Sequence, residues 1–173
     1  MHEMKQYDEA AHRFYVTQLI KSLPLTSWDL YGPYFNTVCG HFDDIFLLQQ
    51  MAKDNKWGQH SEFEAELFDK NSVIVVTDVK LTIVHATKNI AVMNGYQPKE
   101  VLGRKPRLFQ GPDTCTETTQ RIRTAITNKL PFEETVLNYR KNGSTYYCWI
   151  KGEPIFDTAG KLVNFVAFEK EVA

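Results

Sequence analysis

The chain has 173 residues, of which 43% are hydrophobic and 24% charged, and its 20 basic side chains nearly balance its 21 acidic ones. This composition is too apolar for a disordered chain, and the length suits one domain with a sizeable extension. A net charge of −1 gives no electrostatic support for binding to nucleic acid or to an anionic membrane. No run approaches the roughly 20 apolar residues that a bilayer crossing needs.

The cysteines and histidines are scattered along the chain. Cys39, Cys115 and Cys148 are odd in number and form no Cys-x-x-Cys pair, and the five histidines lack the i, i+4 spacing of a helical metal site. These patterns make a disulfide scaffold or a zinc site improbable. The N-terminus lacks the basic and apolar regions of a signal peptide. We therefore expect a cytoplasmic protein.

Residues 1–70 carry helical periodicity. One apolar stripe runs over Met4–Leu23, a second over Phe35–Gln49 and a third, shorter one over Ser61–Asp69, where a capping box opens the segment. Turn-forming residues over Leu25–Pro33 predict a loop between the first two. This part therefore reads as an N-terminal helical extension that caps the rest of the chain or dimerises.

Residues 71–173 have an α+β pattern. A helix is predicted over Thr116–Lys129, and the Asn142-Gly143 pair between alternating runs predicts a hairpin. The predicted strands cover residues 72–77, 81–86, 133–140, 145–151 and 162–170. Their order predicts a five-stranded antiparallel sheet with helices on one face.

Alternation along the strands divides the side chains between two faces. The second face collects a patch too large to stay wet in a monomer: Leu137, Tyr139, Tyr147, Trp149, Val166 and Phe168. Either the N-terminal helices or a second copy of the chain should cover it. On the first face, Asn138, Cys148 and Glu169 point toward the helices. Buried polar groups there need a ligand, or else loop backbone or ordered water.

Three segments resemble a known family. Residues 94–104 look like the helical hallmark of PAS domains, residues 103–114 closely resemble the signature loop of the flavin-binding LOV photoreceptors, and residues 137–143 are also LOV-like. The similarity runs from about Ser72 to the C-terminus. It implies a PAS fold and makes FMN a candidate cofactor, although the residues leave the ligand's identity open.

The resemblance fails at the residue that the LOV photocycle requires. LOV domains detect blue light because a cysteine thiol adds to the flavin ring, and this chain has Pro106 where that pattern has cysteine. Proline offers no nucleophilic sulfur, so we expect no adduct photochemistry. Proline does suit the first turn of a short helix beginning there.

The other residues implied by the resemblance are partly retained. Arg107 and Arg123 match the arginines that hold the FMN phosphate, which is chemistry that guanidinium groups perform well. Gln110 and Asn138 are also retained. Cys148 stands where the family has a second asparagine, and Glu169 where it has a glutamine. An ionised Glu169 can only accept hydrogen bonds, whereas a protonated one can donate.

These observations favour a sensory module that is not an enzyme, since no catalytic or metal-binding pattern is present. No kinase, cyclase or helix-turn-helix segment is readable, so we expect signalling through the N-terminal helices and dimer geometry, with a homodimer formed by the outer sheet face and those helices. A separate signalling partner is also compatible with the sequence. Two alternatives stay open: a PAS scaffold with an occluded pocket that serves only interaction, and an FMN-binding protein without a photocycle.

Overall fold

A computed structural model describes residues 26–58, 63–69 and 72–172. The chain divides into two compact units, residues 1–36 and 37–173. The predicted stripe at Met4–Leu23 lies outside the described residues. Helix α1 covers Thr26–Asp54, so the predicted loop over Leu25–Pro33 is wrong from Thr26 onward. Pro33 lies within this helix and lacks the backbone N–H for one helical hydrogen bond, which costs about 3 kcal/mol. The other hydrogen bonds of the 29-residue helix outweigh that loss.

The second unit contains the predicted five-stranded antiparallel sheet. Its strands lie side by side in the order β2-β1-β5-β4-β3. Their bounds are Val73–Asp78 for β1, Ile83–Ala86 for β2, Phe132–Tyr139 for β3, Thr145–Phe156 for β4 and Leu162–Val172 for β5. Sequential neighbours β1–β2, β3–β4 and β4–β5 pair directly, and the long-range pairing of β1 with β5 joins the two halves.

Strand β4 continues well past its predicted end at Lys151, and the reason lies in its neighbours. Its pairing with β3 stops at Gly152 opposite Phe132, whereas its pairing with β5 continues through Pro154. Beyond Gly152 the strand therefore has one neighbour only. Proline lacks a backbone donor and is tolerated at such an edge.

Local hydrogen bonds close the β1–β2 turn and the predicted β3–β4 hairpin. Asp78 Oδ1 accepts from the backbone N–H groups of Lys80 and Thr82, each at 2.8 Å, and ends β1 in a tight turn. In the β3–β4 turn, Gly143 has a φ of 87°. Asn142 Oδ1 accepts from the backbone N–H of Ser144 at 3.0 Å. Asparagine and glycine thus supply the side-chain acceptor and the left-handed backbone that this turn needs.

Short helices connect β2 to β3 on the first face of the sheet. Their bounds are Ile90–Asn94 for α2, Pro98–Val101 for α3, Pro106–Phe109 for a 3₁₀ helix and Thr116–Thr127 for α4. Helix α4 ends two residues before its predicted end at Lys129, which itself has a positive φ of 55°. A core of β-strand and helix residues, including Val73, Ile83 and Val101, lies beneath these helices.

The second face of the sheet carries a separate core, which we call the outer cluster. It joins side chains of α1 and of the segment that follows it to strands β1, β4 and β5: Ile45, Leu48, Ala52, Trp57, Phe63, Leu67, Ile74, Val76, Ile155, Val166 and Phe168. Trp57 Nε1 donates to Asn164 Oδ1 at 2.9 Å and fixes the segment to β5. Burial of a large apolar side chain contributes roughly 1.5 to 3 kcal/mol, so this packing holds α1 on the sheet.

The outer cluster covers only part of the predicted second-face patch. Val166 and Phe168 are buried within it, whereas Tyr147 is 54% exposed. Tyr139 differs from the prediction, because its ring lies over Gly111 and its hydroxyl donates to Asp113 Oδ2 at 2.6 Å. Its side chain therefore joins the loop at the edge of β3 instead of the second face.

Candidate functional site

A cavity of about 820 Å³ lies between the first face of the sheet and the helices that cross it. That volume falls in the range of small-molecule sites in proteins. The sheet side is formed by residues of β1, β3, β4 and β5, and the other side by the 3₁₀ helix, the loop after it and α4. Five of the six residues that the sequence singled out line it: Arg107, Gln110, Arg123, Asn138 and Glu169.

Cys148, the sixth predicted residue, is fully buried and is absent from the cavity lining. Its Sγ lies 3.9 Å from Glu169 Oε2, so Cys148 contacts a cavity-lining residue without lining the cavity itself. Burial in apolar surroundings, with the Glu169 charge as a second cause, raises the pKa of this thiol. Cys148 is therefore a neutral supporting residue and not a contact in the cavity.

Three cations define what we call the cavity mouth: Lys105, Arg107 and Arg123. All three are exposed, and none forms an ion pair with another residue in the described part of the chain. Arg121, two residues before Arg123 on α4, instead forms an ion pair with Glu134 at 2.6 Å. The mouth cations are thus available to an anionic group of a ligand, and guanidinium forks suit phosphate or carboxylate.

Pro106 lies on the cavity lining and begins the 3₁₀ helix Pro106–Phe109. The preceding Lys105 has extended backbone angles, φ −99° and ψ 150°, which are those favoured before proline. Phe109, at the end of this turn, is 2% exposed and anchors it in the core. The described cavity lining contains no cysteine. Cys115, farther along the loop, is exposed and does not line the cavity.

Asn138 and Glu169 form what we call the cavity floor. Both line the cavity and both are buried, Glu169 at 4% exposure. Burial raises the pKa of Glu169 to about 7, with the Cys148 contact acting weakly in the opposite direction. Because no cation of the described chain lies within ion-pair distance of this carboxyl, desolvation is left to favour its neutral form.

Sequence reasoning missed two residues of the polar network behind the floor. The Tyr146 hydroxyl and Asn94 Nδ2 are buried and have no hydrogen bond of ordinary geometry. Burial, and then the nearby Cys148 and Glu169, raise the pKa of Tyr146, whereas Asn94 and Asn138 oppose the rise. Arg140 lies 4.5 Å from the centre of the Tyr146 ring. Only the pairing of distant segments brings Asn94 beside β4, so no local pattern could have identified it.

The cavity wall also depends on a glycine that the sequence did not single out. Gly152 faces Phe132 across the β3–β4 pair, and a Cβ on Gly152 would lie 2.3 Å from the Phe132 ring. Any side chain at this position would displace the ring, which itself lines the cavity. The glycine thus lets an aromatic ring lie flat against the strand and close the cavity edge.

The described ranges, residues 26–58, 63–69 and 72–172, contain no group of three histidine, cysteine or acidic side chains placed to hold a metal ion. Cys39, Cys115 and Cys148 are free thiols. No helix in the same ranges is long and apolar enough to cross a membrane.

Residues 70–172 match the family described as the PAS domain. The chain belongs to the PAS domain family. Domains of this family are sensory modules, and the five-stranded antiparallel sheet with its helices is the PAS fold that the sequence predicted.

LOV proteins are among its relatives and structural neighbours. The chain is 34% identical to Phototropin-2 of Oryza sativa subsp. japonica over 65% of its own length and 13% of the relative's. It is also 34% identical to a blue-light-activated histidine kinase of Rhizobium johnstonii, over 60% of this chain and 31% of the kinase. A solved LOV domain, studied with a flavin analogue, superimposes with a TM-score of 0.61 at 29% identity and covers 66% of this chain and 87% of the other. The chain thus matches less than a third of the length of Phototropin-2 and of the histidine kinase.

We predict that Glu169→Gln changes the pH dependence of folding. Below pH 4.5, which is the ordinary pKa of a glutamate side chain, Glu169 is protonated in both the folded and the unfolded protein. Between pH 4.5 and about pH 7 the carboxyl is ionised in the unfolded protein but still protonated in the folded one, so the wild type loses stability as the pH rises. Urea unfolding should therefore show the variant's stability relative to the wild type increasing over this window, by up to about 3 kcal/mol.

Glu171→Gln is the matched control for this experiment, since Arg140 lowers the pKa of Glu171. Its stability relative to the wild type should not rise with pH. Asp44, whose pKa burial raises to about 6, is present in all three proteins and its contribution cancels. A gap between Glu169→Gln and wild type that stays constant from pH 4 to pH 8 would contradict the prediction.

Proposed function

We propose that this PAS domain senses a small ligand bound in the cavity and transmits the occupancy of the cavity through the sheet to helix α1. The cavity is the observation that carries the proposal. It has the volume of a ligand site, unpaired cations at the mouth and buried polar groups at the floor. A cavity of this size also argues against the alternative of an occluded scaffold, in which Phe109, Tyr146, Ile150 and Phe165 would fill the space.

FMN is the candidate ligand that the cavity fits best. Arg107 and Arg123 would hold its phosphate, and Asn138 and a protonated Glu169 would hydrogen-bond its ring. When bound, a flavin supplies an aromatic ring that absorbs blue light and accepts electrons. The names of the relatives refer to blue light, and the flavin analogue belongs to a LOV structure, so both support this choice by likeness.

Pro106 sets this domain apart from adduct-forming photoreceptors in our proposal. The residue stands on the cavity lining at the start of the 3₁₀ helix, and it has no sulfur to attack a flavin. Cys148 is shielded behind Glu169 and its thiol is neutral, so it does not replace the missing nucleophile. The domain therefore signals through ligand occupancy and not through a flavin–cysteine bond.

The sheet provides the physical connection between the cavity and α1. In β5, Phe165 and Glu169 line the cavity, Phe168 belongs to the outer cluster, and Val166 contributes to both. A shift of β5 on ligand binding thus changes the surface against which α1 packs. A ligand can move this equilibrium only as far as it binds the two arrangements unequally.

The exposed aromatic side chains support a homodimer as part of this proposal. Phe42 and Phe46 on α1 are 60% and 66% exposed, and Tyr147 of the outer sheet face is 54% exposed. A contact through these residues would couple the position of α1 to dimer geometry. A separate signalling partner is the second occupant compatible with the same surfaces. The cytoplasmic location stays a prediction from the free cysteines.

The first test of the proposal is FMN binding to mouth variants. Arg107→Ala and Arg123→Ala should each weaken FMN binding by about 10- to 100-fold, because each removes a charge-assisted hydrogen bond of about 1.5 to 3 kcal/mol. Isothermal titration calorimetry measures the affinity. Arg104→Ala is the matched control, since Arg104 is exposed on the same loop but does not line the cavity. Equal losses in all three variants would contradict the assignment of the mouth.

The second test concerns light. Blue illumination of the FMN-loaded protein should leave its intact mass unchanged after denaturation, with no flavin covalently attached. Pro106→Cys supplies the missing thiol and is the comparison for adduct formation. A flavin that stays covalently attached to the illuminated wild type after denaturation would contradict the proposed mode of signalling.

The third test follows α1 directly by hydrogen exchange. On FMN binding, amides over residues 44–52 should exchange at least about fivefold faster, which is the lower end of typical allosteric coupling. The Arg107→Ala, Arg123→Ala double variant at the same FMN concentration should show no change. Unaltered protection of α1 in the saturated wild type would remove the proposed signalling route while leaving ligand binding intact.

A further inference from the structure

We propose that the cavity floor is a proton-coupled subsite, in which neutral Glu169 donates a hydrogen bond to an acceptor atom of the ligand, so that at alkaline pH, where the carboxyl of the ligand-free protein is ionised, the ligand binds with uptake of one proton. The ligand class is a planar heteroaromatic compound with a ring carbonyl or imine nitrogen at its buried end and an anionic group at the mouth. The inference rests on the proposed function, because it concerns the same cavity.

The position of Glu169 carries the inference. Strand β5 lies between β1 and β4, and Glu169 pairs with Val73 on one side and Ile150 on the other. It is 4% exposed and lines the cavity. Within the described residues, the one hydrogen bond to its carboxyl is the long contact from Cys148 Sγ at 3.9 Å, which leaves the carboxyl short of partners. A buried acid in this condition is costly unless a ligand completes its bonding.

The titratable and charged groups around Glu169 leave it without a counter-ion. From β4 it faces Cys148 and Tyr146, both neutral. Its sequence neighbours are engaged elsewhere: Lys170 lies over the Trp149 ring and Glu171 pairs with Arg140 at 2.7 Å. From the 3₁₀ helix, its preceding loop and α4, the mouth cations reach the same cavity at its exposed end, outside ion-pair distance.

The charge of the cavity decides between two kinds of ligand. An ionised Glu169 would favour a cationic or donor-rich group, whereas a protonated one favours an acceptor. Three cations and one acid line the cavity, so a cationic ligand would be repelled at the mouth before it reached the floor. The raised pKa of Glu169 agrees with the acceptor alternative. An acceptor lone pair facing a carboxylate would be repelled, so binding requires the proton.

This requirement fixes the direction of the pH dependence. Above the pKa of free Glu169 the protein must take up a proton to bind, and the affinity falls toward tenfold per pH unit. Between pH 6 and pH 9 the wild-type Kd should therefore rise on the order of 100-fold. In Glu169→Gln the amide is a permanent donor, so this contribution disappears. A cationic ligand would produce the opposite slope.

The experiment uses FMN and riboflavin as probes, with calorimetric titration of wild type and Glu169→Gln across pH 6 to 9. Riboflavin lacks the titrating phosphate, and for FMN the ratio of the two proteins' Kd values removes the phosphate contribution. We expect that ratio to change on the order of 100-fold. Titration of the wild type at pH 8 in two buffers of different ionisation enthalpy should also report about one proton taken up, and this measurement needs no variant.

Infrared spectroscopy of the ligand-free wild type supplies an independent measurement. The difference spectrum of wild type minus Glu169→Gln should contain a protonated-carboxyl stretch at pH 6 that vanishes by pH 9, because Asp44 contributes equally to both proteins. Absence of that band, a constant Kd ratio or proton release on binding would each overturn the inference while leaving flavin binding in place. Failure of both flavins to bind at every pH would instead refute the flavin site itself, and the inference with it.

Discussion

The alternation of side chains along β5 is the constraint on which the rest of this structure depends. Successive side chains of the strand alternate between the two faces, so Phe165 and Glu169 reach the cavity while Phe168 enters the outer cluster. A register slip of one residue would exchange the two sets and place the carboxyl under α1. Pairing with β1 on one side and β4 on the other prevents that slip. One strand thereby connects the cavity to a helix without any intermediate element.

Both faces of the sheet carry buried polar side chains. On the outer face, the Asn164 side chain accepts a hydrogen bond from Trp57 and donates one to the Thr77 carbonyl. Its amide therefore ties two elements to β5, namely strand β1 and the segment that follows α1. On the cavity side, Tyr146 and Asn94 retain unpaired polar atoms, and Glu169 keeps a single weak partner. Unpaired buried groups destabilise a fold. They are not confined to the cavity side, since His41 on α1 also keeps both ring nitrogens unpaired.

Much of the fold followed from the sequence because its signals are local. β-branched runs, the Asn142-Gly143 turn and the periodicity of α4 placed the sheet and its connecting helices, and the strand alternation placed Asn138 and Glu169 on the buried face. The prediction failed where distant segments decide the outcome. Strand β4 extends past its predicted end because its pairing with β5 continues after its pairing with β3 stops at Gly152. The loop predicted over Leu25–Pro33 is helical from Thr26 because turn-forming residues do not by themselves end a long helix.

The sequence by itself determined which chemical groups this domain can use: two arginines, an asparagine and an acid on a PAS sheet, and a proline in place of a thiol. Those choices are fixed by residue identity and strand parity, which require no knowledge of long-range contacts. Only the tertiary structure decided that Glu169 is buried without a counter-ion, that Cys148 stands behind it, and that Asn94 approaches Tyr146. Each of these depends on segments far apart in the chain, and the desolvation of a charge is a property of the packed interior.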